Sequence, residues 1–491
     1  MNPWKDAAVA CLRQRPPLWS LPVVWTLALG LWGLSRQDSV WRDEAATWQV
    51  ALRSAADIGH MLGRVDVVHG LYYLLMHGLF TCFGPGTTTL RLPSVLAMAV
   101  AAACVTVIGH RLASVRAGLV GGLALGLVPA VQFYLQEGRP YALITAGAGI
   151  STLLLVTLLQ GRGRTPRWAA YTAALLVCGL LNWLSLLILP AHAATLLWAR
   201  ATPAVLRRWA AASAVAVAGV VPLILFSRRQ SGQVSWIPPL TWHMMIGPAV
   251  LLAIGALCAL LSRPRAGRLS VAAVGLPLLA VPHLALAALS LVRPLFLDRY
   301  VLFSMLGLAL LIGAGLSAAA AALGSRFPRA SSWLVPVVVT AAVVALLPQA
   351  LAKRSPASRV DDVLAAAADV RRVKRPGDAV VFIPAARRDT ALVSPDAFAG
   401  LRDVALRETP VESRTLKGEE TDPARIRSAM LAQRRILLIT DAPGVARPLS
   451  AARDKAKTAV LEEYFTVVRD EQVRGRRLTV YERLRPAGAA A

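Results

Sequence analysis

The sequence predicts a polytopic α-helical membrane protein with a small soluble α/β domain at its C-terminal end. Three observations carry this reading. Of 491 residues, 56% are hydrophobic and only 16% charged, with a mean hydropathy of +0.55, whereas soluble domains carry about 25% charged residues. Apolar stretches near the ~20 residues needed to cross a ~30 Å hydrocarbon core recur from residue 17 to 349, separated by short clusters rich in Arg, Pro and Gly. Beyond residue 349 charge returns: residues 350–491 hold 27 basic and 19 acidic side chains, against 26 and 8 in the first 349. The chain therefore divides into a membrane module, 1–349, and an extramembrane domain, 350–491.

The basic N-terminus, MNPWKDAAVACLRQRPP, has no small-residue cleavage site after its apolar run, which predicts a retained first helix and no removed signal peptide. Spans are expected at 17–35, 91–110, 117–135, 140–160, 167–182, 184–200, 207–226, 243–261, 269–291, 299–323 and 331–349. Residues 69–83, HGLYYLLMHGLFTCF, are apolar and helical in pattern but short for a crossing. Loop charge decides their place, because cytoplasmic loops carry the Lys/Arg excess. If residues 69–83 lie on the outer surface, one side of the membrane receives sixteen basic residues, from Lys5 to Arg329, with Asp6 as its single acid. This gives eleven spans, a cytoplasmic N-terminus and an extracytoplasmic tail. The net charge of +26 is then mainly an orientation signal, and a nucleic-acid partner is not expected. The five cysteines lie in or beside apolar segments and read as small hydrophobes, without disulfide or metal spacing. Gly118, Gly122 and the run GLALLIGAGLSAAAAAL read as close helix packing, and Pro190/His192 and Pro282/His283 as kinks with locally satisfied imidazoles.

In the tail, SRVDDVLAAAADVRRVKRPGDAVVFIP predicts a helix, a turn and a buried strand, and DPARIRSAMLAQRRILLITDAP a second such unit. Strands are expected near EYFTVV and RLTVYERL, with an irregular loop at about 400–422. No GxGxxG or P-loop signature occurs in it, and a cover over an outer site, or a platform for an acceptor, is the expected role.

Seven of the eight membrane-module acids fall on the outer side under this topology, in or near three loops. The first, residues 36–90, begins SVWRDEAATWQVALRS, with Asp43 and Glu44 opening an amphipathic stretch, and contains His69 before an aromatic, apolar helix. The second is FYLQEGRPYAL, where Gln136, Glu137 and Arg139 surround Gly138. The third, PLFLDRYVLF, presents Asp298, Arg299 and Tyr300. Each has a structural alternative: a helix cap for Asp43–Glu44, a satisfied interfacial imidazole for His69, and helix-end ion pairs for Glu137/Arg139 and Asp298/Arg299. Together they suit chemistry. A carboxylate can take a proton from a hydroxyl, and arginines hold a phosphate bidentately and stabilise it as a leaving group. ATP and nucleotide sugars are absent outside the cytoplasm, so the substrates would be membrane-borne.

At these residues the sequence resembles the GT-C superfamily of glycosyltransferases, in particular the family 39-like group that includes protein O-mannosyltransferases and lipid A aminoarabinose transferases. The resemblance rests on Asp43-Glu44, on His69 with Leu71-Tyr72-Tyr73, on Arg91-Leu92-Pro93-Ser94, on Tyr134, Gln136, Glu137, Arg139 and Tyr141-Ala142-Leu143, and on Arg299-Tyr300. Gly70 stands where the group often has two prolines. It covers residues 37–145 and the late Arg-Tyr loop; the middle spans agree in hydropathy alone. What it implies is a GT-C-like membrane fold and transfer of a sugar, mannose or a related hexose or pentose, from a polyprenyl-phosphate donor at the outer face of the plasma membrane, with inversion. By the same resemblance Asp43 is the base, Glu44 and Glu137 shape the acceptor site or hold a divalent cation, and Arg139 and Arg299 bind the donor phosphate. His69, Tyr72, Gln136, Tyr141 and Tyr300 would contact substrate. The acceptor, a glycan, glycolipid or protein hydroxyl, is left open. Two competing classes are a lipid-linked sugar flippase or transporter, disfavoured by the lack of internal repeats and of mid-membrane charges, and a non-catalytic envelope-assembly scaffold.

Overall fold

A computed structural model describes residues 17–161, 165–263 and 268–484. The basic residues Lys5, Arg13, Arg15, Arg162, Arg164 and Arg265, and Cys11, lie outside them. The membrane module is a helical bundle: α1 (Ser20–Leu31), α2 (Arg42–Ala51), α3 (Ala55–Leu62), α4 (Gly70–Phe83), α5 (Thr87–Leu112), α6 (Val115–Leu127), α7 (Pro129–Tyr134), α8 (Tyr141–Leu159), α9 (Thr165–Leu181), α10 (Ile188–Trp198), α11 (Pro203–Arg229), α12 (Ile246–Leu261), α13 (Val271–Val292), α14 (Met305–Gly324) and α15 (Pro328–Arg354).

Among the described residues seven helices, α5, α8, α11, α12, α13, α14 and α15, are long and apolar enough to cross a membrane, α12 and α14 together with the short turns that lead into them. The other four expected spans hold shorter helices for local reasons. The stretch 117–135 divides at Val128–Pro129, where Pro129 starts α7 because it cannot donate to the preceding turn. Asn182 leaves the helical line, caps Leu184 N–H at 3.0 Å and opens a 3₁₀ turn before α10. Within residues 69–83, Gly70–Phe83 form a 14-residue helix, about 21 Å long at 1.5 Å per residue, which falls short of the hydrocarbon core.

Small residues set the closest helix contacts. A Cβ at Gly118 would collide with the Thr106 carbonyl of α5, and one at Gly313 with the Ala117 carbonyl of α6, so α5, α6 and α14 pack backbone to backbone. His192 is satisfied by Tyr171 at 2.8 Å and Thr152 at 3.1 Å, and His283 by the Leu279 carbonyl at 2.8 Å. Cys104 and Cys178 are buried as expected, whereas Cys82 is exposed on α4.

The tail forms α16 (Val363–Val373), β1 (Ala379–Ile383), α17 (Asp389–Val393), α18 (Pro395–Phe398), β2 (Arg402–Asp403), β3 (Leu406–Glu408), β4 (Glu419–Glu420), α19 (Pro423–Leu431), β5 (Arg435–Asp441), α20 (Ala452–Tyr464), β6 (Phe465–Val473) and β7 (Arg476–Arg483). Its sheet order is β2-β1-β5-β7-β6, parallel from β2 to β5 and antiparallel from β5 to β6. β1 is buried on both faces, Val381 and Ile383 in one core and Val380 and Phe382 in another. The stretch expected to be an irregular loop contains β2, β3 and β4, and α20 precedes the strand expected near EYFTVV, which begins at Phe465.

The sheet domain is docked on the first loop of the membrane module. Val363 N–H donates to the Val40 carbonyl at 2.7 Å, and Val40, Ala45, Val363 and Val393 form a shared apolar cluster. Asp361 accepts from the Arg42 N–H at 3.0 Å and from its Nε at 2.9 Å. It thereby caps α2, whose own N-cap residue, Trp41, has no capping side chain. Arg476, fully buried, grips Asp361 and Asp389 at 3.0 and 2.8 Å.

Candidate functional site

Between the bundle and the sheet domain lies a cavity of about 920 Å³. Its walls come from the start of α2, the 66–69 turn, the 136–141 turn, the ends of α11 and α13, the turn before α14, and the C-terminal domain. Of the ten residues expected at the site, Asp43, His69, Arg139, Tyr141, Arg299 and Tyr300 line it.

Asp43 and Arg299, 256 positions apart in sequence, form an ion pair at 2.8 Å. Aromatic rings surround the guanidinium, which lies 5.7 Å from the ring of Tyr141, 5.6 Å from that of Trp236 and 5.9 Å from that of Tyr300. These faces hold the cation in place while its Nε, buried and without a partner, stays free to donate. Arg139 reaches the cavity from the 136–141 turn, with Thr47 Oγ1 at 3.5 Å from one nitrogen.

His69 is oriented by a neighbour that the motif reading passed over. Asp66, in a left-handed conformation at φ 61°, sits 2.8 Å from His69 Nδ1 and also binds the Tyr73 hydroxyl. Burial would push the Asp66 carboxyl up, but His69, Arg139 and Tyr73 hold it well below the usual range. Asp66 thereby fixes the imidazole through Nδ1, and Nε2 is buried without a partner. The i, i+3 and i, i+7 spacing of Asp66 to His69 and Tyr73 was the available signal.

Four expected residues do not line the cavity. Glu44 is fully buried between Arg91, at 2.8 and 2.7 Å to its two oxygens, and Arg36 at 3.7 Å, and also accepts from Gly138 N–H at 3.0 Å. Burial alone would raise its carboxyl, yet the two guanidinium groups hold it down at about 2. Arg91 further donates to the carbonyls of Leu34, Ser35 and Ser39, so the pair ties α2, α5 and the 34–39 turn together. Gln136 points inward and donates to the carbonyls of Gly30 at 2.8 Å and Trp32 at 2.7 Å. Tyr72 is buried with its hydroxyl unpartnered. Glu137 is buried with neither carboxylate oxygen hydrogen-bonded; burial pushes its carboxyl up to about 7 against the pull of Arg359, with Glu44 and Asp43 adding to the rise. Gly138 is required in this turn because a Cβ would run into Leu90 of α5.

Glu44 and Glu137 do not fit a divalent cation between them. Glu44 is committed to two arginines and an amide, and among the described residues no group of three or more His, Cys, Asp or Glu side chains could hold a metal.

The C-terminal domain supplies the remaining wall. Asp441 pairs with Arg387 at 2.6 Å and Arg42 at 3.4 Å, and Arg447 lies 6.0 Å from the Trp236 ring. Arg387, Asp441 and Arg447 line the cavity and Asp361 meets it through Arg42; none of the four carries a motif in sequence, and only the fold brings them there.

A helical bundle with seven helices long and apolar enough to cross a membrane among the described residues, a sheet domain docked on its first loop and a charged cavity between them make up the fold of a multi-pass membrane protein, GT-C-like as the sequence predicts. Among solved structures the chain is similar to ArnT from Cupriavidus metallidurans bound to undecaprenyl phosphate, with a TM-score of 0.59 and 14% identity over 94% of this chain and 97% of that one. It is also similar to the oligosaccharyltransferase AglB from Archaeoglobus fulgidus in complex with an inhibitory peptide and a dolichol-phosphate, with a TM-score of 0.50 and 11% identity over 86% of this chain and 69% of that one. No protein-family profile and no curated protein sequence matches the chain. At such identities the likeness is one of fold.

Proposed function

We propose that the protein is a membrane glycosyltransferase that moves a sugar, mannose or a related hexose or pentose, from a polyprenyl-phosphate donor to an acceptor hydroxyl on a glycan, glycolipid or protein. The observation that carries this reading is the Asp43–Arg299 pair inside the cavity. A donor phosphate competes with Asp43 for Arg299, and Arg139 on the same cavity adds a second cation. Arginine is suited to holding phosphate oxygens in a forked contact. Once Arg299 turns to the phosphate, Asp43 is released as a proton acceptor at the point where the acceptor hydroxyl must lie.

The step is a single displacement. The acceptor oxygen bonds to the anomeric carbon as its proton passes to Asp43. The bond from that carbon to the phosphate oxygen breaks, the electron pair stays on the polyprenyl phosphate, and Arg299 and Arg139 stabilise the charge that develops there. Configuration at the anomeric carbon inverts. His69 Nε2, Tyr141 and Tyr300 contact the sugar or acceptor from the cavity wall. ArnT bound to undecaprenyl phosphate and AglB bound to dolichol-phosphate support a lipid phosphate as ligand. The one-sided basic loops support a plasma-membrane protein with a cytoplasmic N-terminus and the cavity and sheet domain on the outer side.

The test is incubation of the purified protein with labelled polyprenyl-phosphate sugars and a crude envelope acceptor fraction. Release of polyprenyl phosphate with label entering the acceptor supports the reading; intact donor refutes it.

A further inference from the structure

A second opening lies away from the cavity and shares no lining residue with it. It is a groove of about 230 Å³ between α1, the α6–α7 corner and α15, lined by Trp25, Leu29, Trp32, Gln132, Leu347 and Lys353 among others. It arises because α15 lies at the edge of the bundle, packed along α14, and none of the most apolar 18-residue stretch of this 27-residue helix is buried. Only its last turn is stapled to α1, where Arg354 donates to the carbonyls of Leu29 and Trp32 and lies 4.3 Å from the Trp32 ring. Next to that staple the helices part. From Trp25 to Trp32 the groove follows about 10 Å of helix at 1.5 Å per residue.

A gap of this size between apolar helices forfeits packing energy if empty, and apolar walls keep water out. Hydrocarbon is the occupant that satisfies both conditions. Two polar groups say more about it. Lys353, at the end nearest the sheet domain, faces the Phe133 ring at 5.3 Å and forms no ion pair among the described residues. Gln132, 5% exposed, spends its amide N–H on the Gly126 carbonyl and leaves its buried Oε1 without a partner.

We propose that this groove is a lipid site taking one acyl chain of an anionic glycerophospholipid, with the lipid phosphate on Lys353 and a headgroup hydroxyl or ammonium donating to Gln132. The bound chain fills the space between α15 and α1. It thereby steadies the helix from which the sheet domain is hung, and the site is independent of what the cavity binds.

The full chain is reconstituted in equimolar dioleoylphosphatidylglycerol and dioleoylphosphatidylcholine, repurified in detergent, and its retained lipid counted by mass spectrometry. Wild-type protein should retain phosphatidylglycerol about fivefold over phosphatidylcholine, the scale of one basic side chain against an anionic headgroup. Arg299→Ala, which alters the cavity, should keep that enrichment. Lys353→Glu should abolish it, and Ala350→Trp, which fills the groove, should lower the retained lipid by one molecule. Unchanged enrichment in Lys353→Glu, an unchanged count in Ala350→Trp, or loss of enrichment in Arg299→Ala overturns the proposal.

Discussion

The adjacent acids Asp43 and Glu44 should separate cleanly when each is replaced by its amide. Glu44 is fully buried and meets Arg91, Arg36 and Gly138 N–H. Holding its carboxyl at about 2, against an ordinary value near 4.3, corresponds to roughly 3 kcal/mol of stability at neutral pH. Breaking a buried pair by removing one partner costs about 3–5 kcal/mol, an estimate of the same interaction by another route. Glu44→Gln should therefore cost about 3–5 kcal/mol. The Asp43–Arg299 pair has side chains 22% and 13% exposed and Arg299 keeps its aromatic contacts, so Asp43→Asn should cost about 1 kcal/mol or less. Denaturant melting in detergent at pH 7 compares the three proteins. The folded Glu44 carboxyl lies below its unfolded value, so the wild-type advantage over Glu44→Gln is full above about pH 4.3 and is lost as pH falls towards 2. A Glu44→Gln protein that melts with wild type yet has lost turnover would make Glu44 a chemical residue and refute this reasoning.

Glu137 runs the other way. Its neutral form is favoured in the fold, so its contribution is full below about pH 4.3 and lost as pH rises through about 7; Glu137→Gln should gain roughly 3 kcal/mol on wild type between pH 5 and 8, and a wild type that gains instead would contradict the burial argument. Asp361→Ala removes the cap on the helix that carries Asp43 and leaves the fully buried Arg476 short of a partner, at a cost of about 3–5 kcal/mol, and turnover of the folded protein should fall about tenfold with polyprenyl-phosphate binding unchanged. Asp361→Asn, still able to cap, should recover most of that loss. Arg299→Ala should weaken binding of polyprenyl phosphate by roughly ten- to a hundredfold, the scale of a hydrogen bond to a charged group, measured by isothermal titration in detergent.

The sequence makes the bundle legible because span length and loop charge are properties of single segments. Where spans broke, the cause was one residue each, Pro129 and Asn182. The six cavity residues were legible because loop acids, arginines and aromatics between apolar spans have few other uses. Which of two neighbours faces the cavity was not. Consecutive residues on a helix differ by about 100°, and the choice between Asp43 and Glu44 depends on where α5 places Arg91, 47 positions on. Gln136 and Glu137 turn inward for a similar reason, because Gly30, Trp32 and Leu90 pack against their turn. The roof was least legible: Asp361 and Asp441 meet Arg42 from 319 and 399 positions away, and no local pattern marks such a pair.

The most direct test of the account is turnover of labelled polyprenyl-phosphate sugar by wild type and Asp43→Asn, alongside binding of polyprenyl phosphate to each. Wild type should release polyprenyl phosphate, and the variant should lose about 10²–10⁴ in turnover, the usual contribution of a general base, with lipid-phosphate binding and melting retained. Turnover retained in Asp43→Asn, or no release by the wild-type protein, would contradict it.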